Sequence, residues 1–163
     1  TCKVLVQRYT GLNWSLDIYG QGELHSKLSA EIINADLQDR VRILPPVDDL
    51  SLVYLNAKAL LMTSYYEGMP MVMLEALSFG VPCISFNCHS GPSDLIEDSI
   101  NGFLVNQRDI DLFALRMKDV IEMSDDRFVL MRSNSLAKIE EYKVGNIVAC
   151  WDELFKREFD LLQ

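Results

Sequence analysis

Two histidines, His25 and His89, and four cysteines with no C-x-x-C pair leave little from which a zinc or iron–sulfur framework could be built. Cys83, Cys88 and His89 lie close in sequence but have no second matching pair, so they are a weak metal signal, and Cys83 reads as strand core. The missing cysteine pairs, with no secretory signal, favour a reduced, cytoplasmic setting. No hydrophobic run approaches the roughly 20 residues that a membrane-crossing helix needs. Basic residues are in deficit too. Fifteen Lys and Arg stand against 24 Asp and Glu, a formal net charge of −9, which disfavours nucleic acid and anionic membrane as direct partners because both need a basic footprint. The chain begins at Thr1-Cys2-Lys3 without an initiating Met or a helix cap, and reads as a piece of something longer.

What is present fits one soluble globular domain: 163 residues, 49% of them hydrophobic. Short apolar stretches alternate with helix-period segments. The strands are expected at Ser15 to Tyr19, Val41 to Leu44, Ala59 to Thr63, Pro82 to Phe86 and Gly102 to Val105. Helices are expected near Glu23 to Ala35, Leu50 to Asn56, Pro70 to Phe79 and Pro92 to Ile96. Regular alternation of this kind implies an α/β fold, a doubly wound, Rossmann-like parallel sheet with helices on both faces. From Asp109 to Phe159 the pattern is helical and charged, giving two or three helices that close the domain at its C-terminal end. Residues 1 to 13 stay open between a strand, favoured by Val4, Leu5 and Val6, and a helix.

In open sheets of this type ligands sit beyond the carboxyl ends of the strands. The most informative segment lies there: Tyr66-Glu67-Gly68-Met69-Pro70-Met71-Val72-Met73-Leu74-Glu75-Ala76-Leu77, which sets two carboxylates across a loop-to-helix junction. Pro70 suits the first helical turn, Gly68 allows a tight turn before it, and Gly80 is where the helix stops. Apart from Ser78, Glu75 is the one polar residue in an apolar helix expected to be mostly buried, and it reads either as a salt-bridge partner or as a ligand-holding group. Helix side chains lean towards the N-terminus, so Glu75 reaches back over Met71 and Val72, where free N–H groups attract phosphate. With Glu67 approaching from the loop, a ligand carrying a phosphate between two sets of hydroxyls would be satisfied, and a nucleotide sugar has that layout. The turn Gly20-Gln21-Gly22 follows the first strand and reads equally as ligand contact or as a plain strand-to-helix turn, since His25 stands where a dinucleotide fingerprint wants glycine. His89 reads as a solvated loop residue.

Taken together, L-D-I-Y-G-Q-G-E-L, Y-Y-E-G-M-P-M-V-M-L-E-A-L-S-F-G-V-P and G-P-S-D-L-I-E-D-S-I-N-G-F-L-V resemble the C-terminal, donor-binding half of a GT-B retaining glycosyltransferase of the large group 1 family. The resemblance runs from Ser15 to the end. It implies that Glu67 is the catalytic-site carboxylate near the reacting anomeric centre, receiving hydroxyls of the transferred sugar. It likewise implies that Glu75 holds the ribose hydroxyls, and that backbone amides around Gly68, Met69, Pro70, Met71 and Val72 hold the diphosphate without a metal. Gly20 and Gly22 would line the phosphate side, and the backbone of Arg42, Ile43 and Leu44 would border the base. The donor implied is an NDP-sugar, UDP favoured, with no further cofactor. A glycan or lipid-linked acceptor, and any membrane contact at the inner face, would belong to an N-terminal domain outside this chain.

Three departures from the family pattern matter. Leu44-Pro45-Pro46 stands where a glycine is common, stiffening the base-side loop. The basic pair that usually neutralises the diphosphate would precede Thr1, and the acceptor half is absent. Two rival readings remain: a related GT-B phosphorylase or epimerase, and a non-catalytic α/β module whose C-terminal helices mediate assembly.

Overall fold

The structure is a computed structural model that describes residues 1–160. Eight α-helices, one 3-10 turn and five strands follow one another as α1 Cys2–Arg8, β1 Leu16–Tyr19, α2 His25–Asn34, β2 Val41–Leu44, α3 Ser51–Asn56, β3 Leu60–Met62, α4 Met71–Ser78, β4 Cys83–Asn87, α5 Pro92–Leu95, β5 Gly102–Asn106, α6 Ile110–Ile121, α7 Asp125–Ile139, the 3-10 turn Glu140–Tyr142 and α8 Val144–Asp160. Each expected strand and helix is found within about two residues of its expected ends, the usual uncertainty of a helix or strand boundary. Residues 1 to 13, left open by the sequence, begin as a helix. Cys2, Leu5 and Tyr9 fall on one face at helical spacing, Leu5 is fully buried against α6, and this packing overrides the strand propensity of Val4 and Val6.

All strand pairs are parallel, but they form two ladders rather than one continuous sheet: β1–β2, and β3–β4–β5. Among the described residues no ladder joins β1 to β3. β4 shows why a parallel strand reads as an unbroken apolar run. Ile84 and Phe86 enter one cluster with Leu5, Phe103, Val105, Phe113, Ala114 and Met117. Cys83 enters the cluster on the opposite face with Tyr54, Met73, Ala76, Leu77 and Leu95. Burial holds the Cys83 thiol in its protonated form by pushing its pKa up, as strand core would be.

The helix that follows the Glu67 loop is held firmly at its C-terminal end. Gly80, at φ 68°, and Val81 close a Schellman motif, with Gly80 N–H on the Leu77 carbonyl and Val81 N–H on that of Ala76. The Arg132 guanidinium from α7 donates to the Phe79 carbonyl at 3.2 Å. Asn101 of the N-G-F-L-V motif is structural: buried, it donates to the Leu95 carbonyl and accepts from Glu97 N–H, both at 2.8 Å, pinning the turn that feeds β5.

Candidate functional site

β3, β4 and β5 run parallel, so the loops after them emerge at one edge, and they are tied to one another there. The Ser90 hydroxyl, after β4, donates to the Glu67 carbonyl at 2.6 Å. Gln107, after β5, donates through Nε2 to the Tyr65 carbonyl at 3.2 Å. Gly91, at φ 90°, lies so close that a Cβ built on it would sit 2.5 Å from Pro70 Cδ and 2.6 Å from the Gly68 oxygen. The backbone from Tyr65 to Pro70 is thereby held from two neighbouring loops, while the Glu67 side chain stays half-buried with no hydrogen-bond partner among the described residues.

Pro70 stands one position earlier than expected, at the N-cap of α4 rather than within its first turn, and its carbonyl accepts from Met73 and Leu74 N–H. The amides of Met71 and Val72 find no protein acceptor among the described residues. Those are the donors that a phosphate at a helix N-terminus uses.

Glu75 corrects one premise. The helix is mostly apolar, yet only Met73, Ala76 and Leu77 are buried, and Glu75 lies with Met71, Val72 and Ser78 on the exposed face. It is not in an ion pair among the described residues, so the salt-bridge alternative finds no partner. Its partner is a hydroxyl: Tyr54, from α3, donates to Glu75 Oε2 at 3.1 Å. The Tyr54 ring is 6% exposed and stacks on Phe79 at 5.5 Å, so the hydroxyl is fixed by a buried ring and orients the carboxylate. Reading along the chain does not find Tyr54; the helical spacing that buries its ring was the one signal available.

Burial, together with the hydrogen bond to and charge of Glu75, pushes the Tyr54 phenol up to about 12. The unfolded chain loses that proton near the ordinary value of 10.0, so between there and about 12 the folded state keeps a proton that the unfolded state has released. The stability from this pair is therefore complete below about pH 10 and lost as pH rises through that window. Thermal melts across it should show the parent falling more steeply than Tyr54→Phe; parallel curves would mean that the phenol is not held.

The remaining expected residues sit on the other ladder. Gly20 N–H donates to the Leu44 carbonyl at 3.0 Å, which brings the Gly20–Gly22 turn beside the end of β2. α2 begins only at His25, so the turn does not open directly into the helix. Arg42 pairs with Asp17 across the ladder at 2.7 and 2.8 Å, so its guanidinium is occupied and only the backbone of Arg42, Ile43 and Leu44 remains for a ligand. No hydrogen bond ties Gly20 or Gly22 to the Glu67 loop among the described residues. His25 and His89 are both exposed. A separate concavity, lined by Asn13, Trp14, Ser15, Asp39 and Arg40, opens at the amino ends of β1 and β2, away from both glutamates.

Comparison with known proteins shows the family and the fold. The family model described as glycosyl transferases group 1 matches residues 2–136. A protein of Haemophilus influenzae named as an uncharacterized glycosyltransferase is 31% identical over 149 residues, 91% of this chain and 41% of that one. A lipopolysaccharide 1,6-galactosyltransferase of Salmonella typhimurium is 39% identical over 118 residues, 70% of this chain and 33% of its own length. Among solved structures, a mutant of S. aureus TarM in complex with fondaparinux, α-GlcNAc-glycerol and UDP superposes with a TM-score of 0.85 at 27% identity, over 94% of this chain and 31% of that one. The chain thus spans less than half the length of these relatives. With its parallel α/β fold, its loop-to-helix carboxylates and the family model over most of its length, this chain belongs to the group 1 glycosyl transferases.

Proposed function

We propose that this chain is the donor-binding, C-terminal domain of a two-domain retaining glycosyltransferase that moves a hexose from a nucleoside diphosphate sugar to a polysaccharide or lipid-linked glycan. The observation that carries the reading is the junction at α4: unpaired Met71 and Val72 amides between the Glu67 carboxylate on the loop and Glu75 on the exposed helix face. UDP is the favoured nucleotide, on the strength of the UDP held by the TarM complex.

In this reading Glu67 receives hydroxyls of the hexose beside the anomeric carbon and Glu75 receives the ribose hydroxyls. The amides from Gly68 to Val72 hold the diphosphate and stabilise the negative charge that grows as it leaves. Gly20 and Gly22 line the phosphate side, and the backbone from Arg42 to Leu44 borders the base. No group of this chain needs to act as a nucleophile: positioning and leaving-group stabilisation carry the step while the acceptor hydroxyl attacks from the same face. Acceptor recognition belongs to an N-terminal domain outside this chain. The cytoplasmic face of a membrane is the working location that goes with such acceptors; among the described residues no helix is long and apolar enough to cross a membrane.

Titrating isotope-labelled protein with UDP, GDP and ADP tests the site. Saturable amide shifts from Gly68 to Glu75 with one nucleotide are expected, and Glu75→Ala should weaken that binding by about 1.5–3 kcal/mol, the worth of a charged hydrogen bond. Unchanged affinity in that variant would remove Glu75 from the site. The assembly-module reading draws on α8, whose Val144, Val148, Trp151, Phe155 and Phe159 are all exposed. Self-association without any nucleotide binding would favour it.

A further inference from the structure

Arg108 occupies a backbone position that suits another residue. The turn Asn106–Asp109 is closed by Asp109 N–H on the Asn106 carbonyl at 3.1 Å, and Arg108 is its third residue at φ 72°. Gly or Asn is the ordinary choice there, because a larger side chain pays for the left-handed conformation in strain. Strain of this kind persists when the surroundings over-determine it, and it concentrates beside functional loops.

The Arg108 side chain has an evident use. Its guanidinium lies 3.0 Å from the centroid of the Tyr65 ring and 5.8 Å from that of Phe86. It is in no ion pair among the described residues. The preceding residue, Gln107, holds the Tyr65 carbonyl at 3.2 Å. Tyr65 is 62% exposed and has no cluster of apolar neighbours to fix its ring. Tyr65 is also two residues before Glu67, whose own carbonyl is held by Ser90 from the other side.

We infer that Gln107 and Arg108 form a clamp on Tyr65 that positions the Glu67 carboxylate, with Arg108 as a positioning residue for the transfer reaction. The inference rests on the role proposed above for Glu67. A planar guanidinium suits this task because it stacks on an aromatic face as an ammonium does not. The bond from Gln107 fixes the backbone of Tyr65, the stack fixes its ring, and together they leave the two-residue step to Glu67 little freedom. Ser90 alone would hold one end of that step and leave the other to swing.

Arg108→Gly separates this role from a structural one, because glycine relieves the backbone at the position it alters. In the intact enzyme, amide exchange over Ser64 to Gly68 should quicken about fivefold, with a melting temperature equal to or above that of the parent. Turnover of a UDP-hexose, drawn from UDP-glucose, UDP-galactose and UDP-N-acetylglucosamine and read as UDP release, should fall about tenfold while UDP affinity stays within about twofold. Arg108→Lys, keeping the charge and losing the planar stack, should recover part of the turnover. Unchanged exchange over Ser64 to Gly68 in Arg108→Gly would overturn the clamp, whatever the turnover. Glu67→Gln, assayed in parallel, keeps the two ideas apart: if it retains full turnover the role of Glu67 fails, whereas if it alone is impaired the clamp fails.

Discussion

Glu67→Gln should lower turnover of the intact enzyme by about a hundredfold or more, the scale on which one preorganised group at a reacting centre contributes, while UDP affinity changes by less than about threefold. The split follows from where the residue sits. Its backbone is held by Ser90 and its neighbour Tyr65 by Gln107, whereas the carboxylate itself has no partner among the described residues. Removing the charge therefore breaks no bond that supports the fold, and the melting temperature should be unchanged. Each tenfold in rate is about 1.4 kcal/mol, so the expected loss is about 2.7 kcal/mol of transition-state stabilisation. Steady-state rates with a UDP-hexose, beside a UDP titration, check it. Equal losses of turnover and nucleotide affinity would instead make Glu67 a ground-state binding residue.

Gly91→Ala should be the most damaging small substitution at the site. At φ 90° an alanine is strained whatever room it has, and here the added carbon would come within 2.5 Å of Pro70 Cδ and 2.6 Å of the Gly68 oxygen. Those are parts of a proline ring and a backbone, not the far end of a flexible side chain, so the contact cannot be relieved by rotating a rotamer. Strain plus overlap should cost about 2–4 kcal/mol. For a chain of this size that lowers the melting temperature by roughly 4–16 °C. The site should suffer further, because the loop that must yield carries Gly68 and Met69, whose amides lie on the path to α4. Turnover measured well below the new melting temperature should therefore remain depressed. An alanine variant that melts with the parent would show that the two loops are less closely packed than they are here.

Much of this site was legible along the chain because it is local. Pro70, Met71 and Val72 make a helix start from a few neighbouring residues, and Glu67 and Glu75 are placed by that helix. The exposure of Glu75 is not legible in the same way, because a helix with apolar residues on both faces carries no polar stripe to mark its solvent side. This eight-residue helix exposes Met71 and Val72 as well as Glu75. The start of the chain was ambiguous for a related reason: Val4, Leu5 and Val6 suit either structure, and only the contact of Leu5 with α6 selects the helix.

By itself, the sequence determined the alternation of five strands with helices, the helix start that offers free amides, and the two carboxylates beside it. These depend on side-chain period, a proline and a few glycines, all of which act over a turn or two of chain. Tertiary structure alone decided which groups support those carboxylates: Tyr54 beneath Glu75, Ser90 and Gly91 against the Glu67 loop, and Gln107 with Arg108 on Tyr65. It also decided that the strands form two parallel ladders. The supporting partners are separated by 21 to 42 residues; Tyr54 meets Glu75 through the packing of α3 on α4, and the others meet because parallel strands deliver successive loops to one edge. Strand spacing and packing set that geometry, and no local pattern in the chain encodes it.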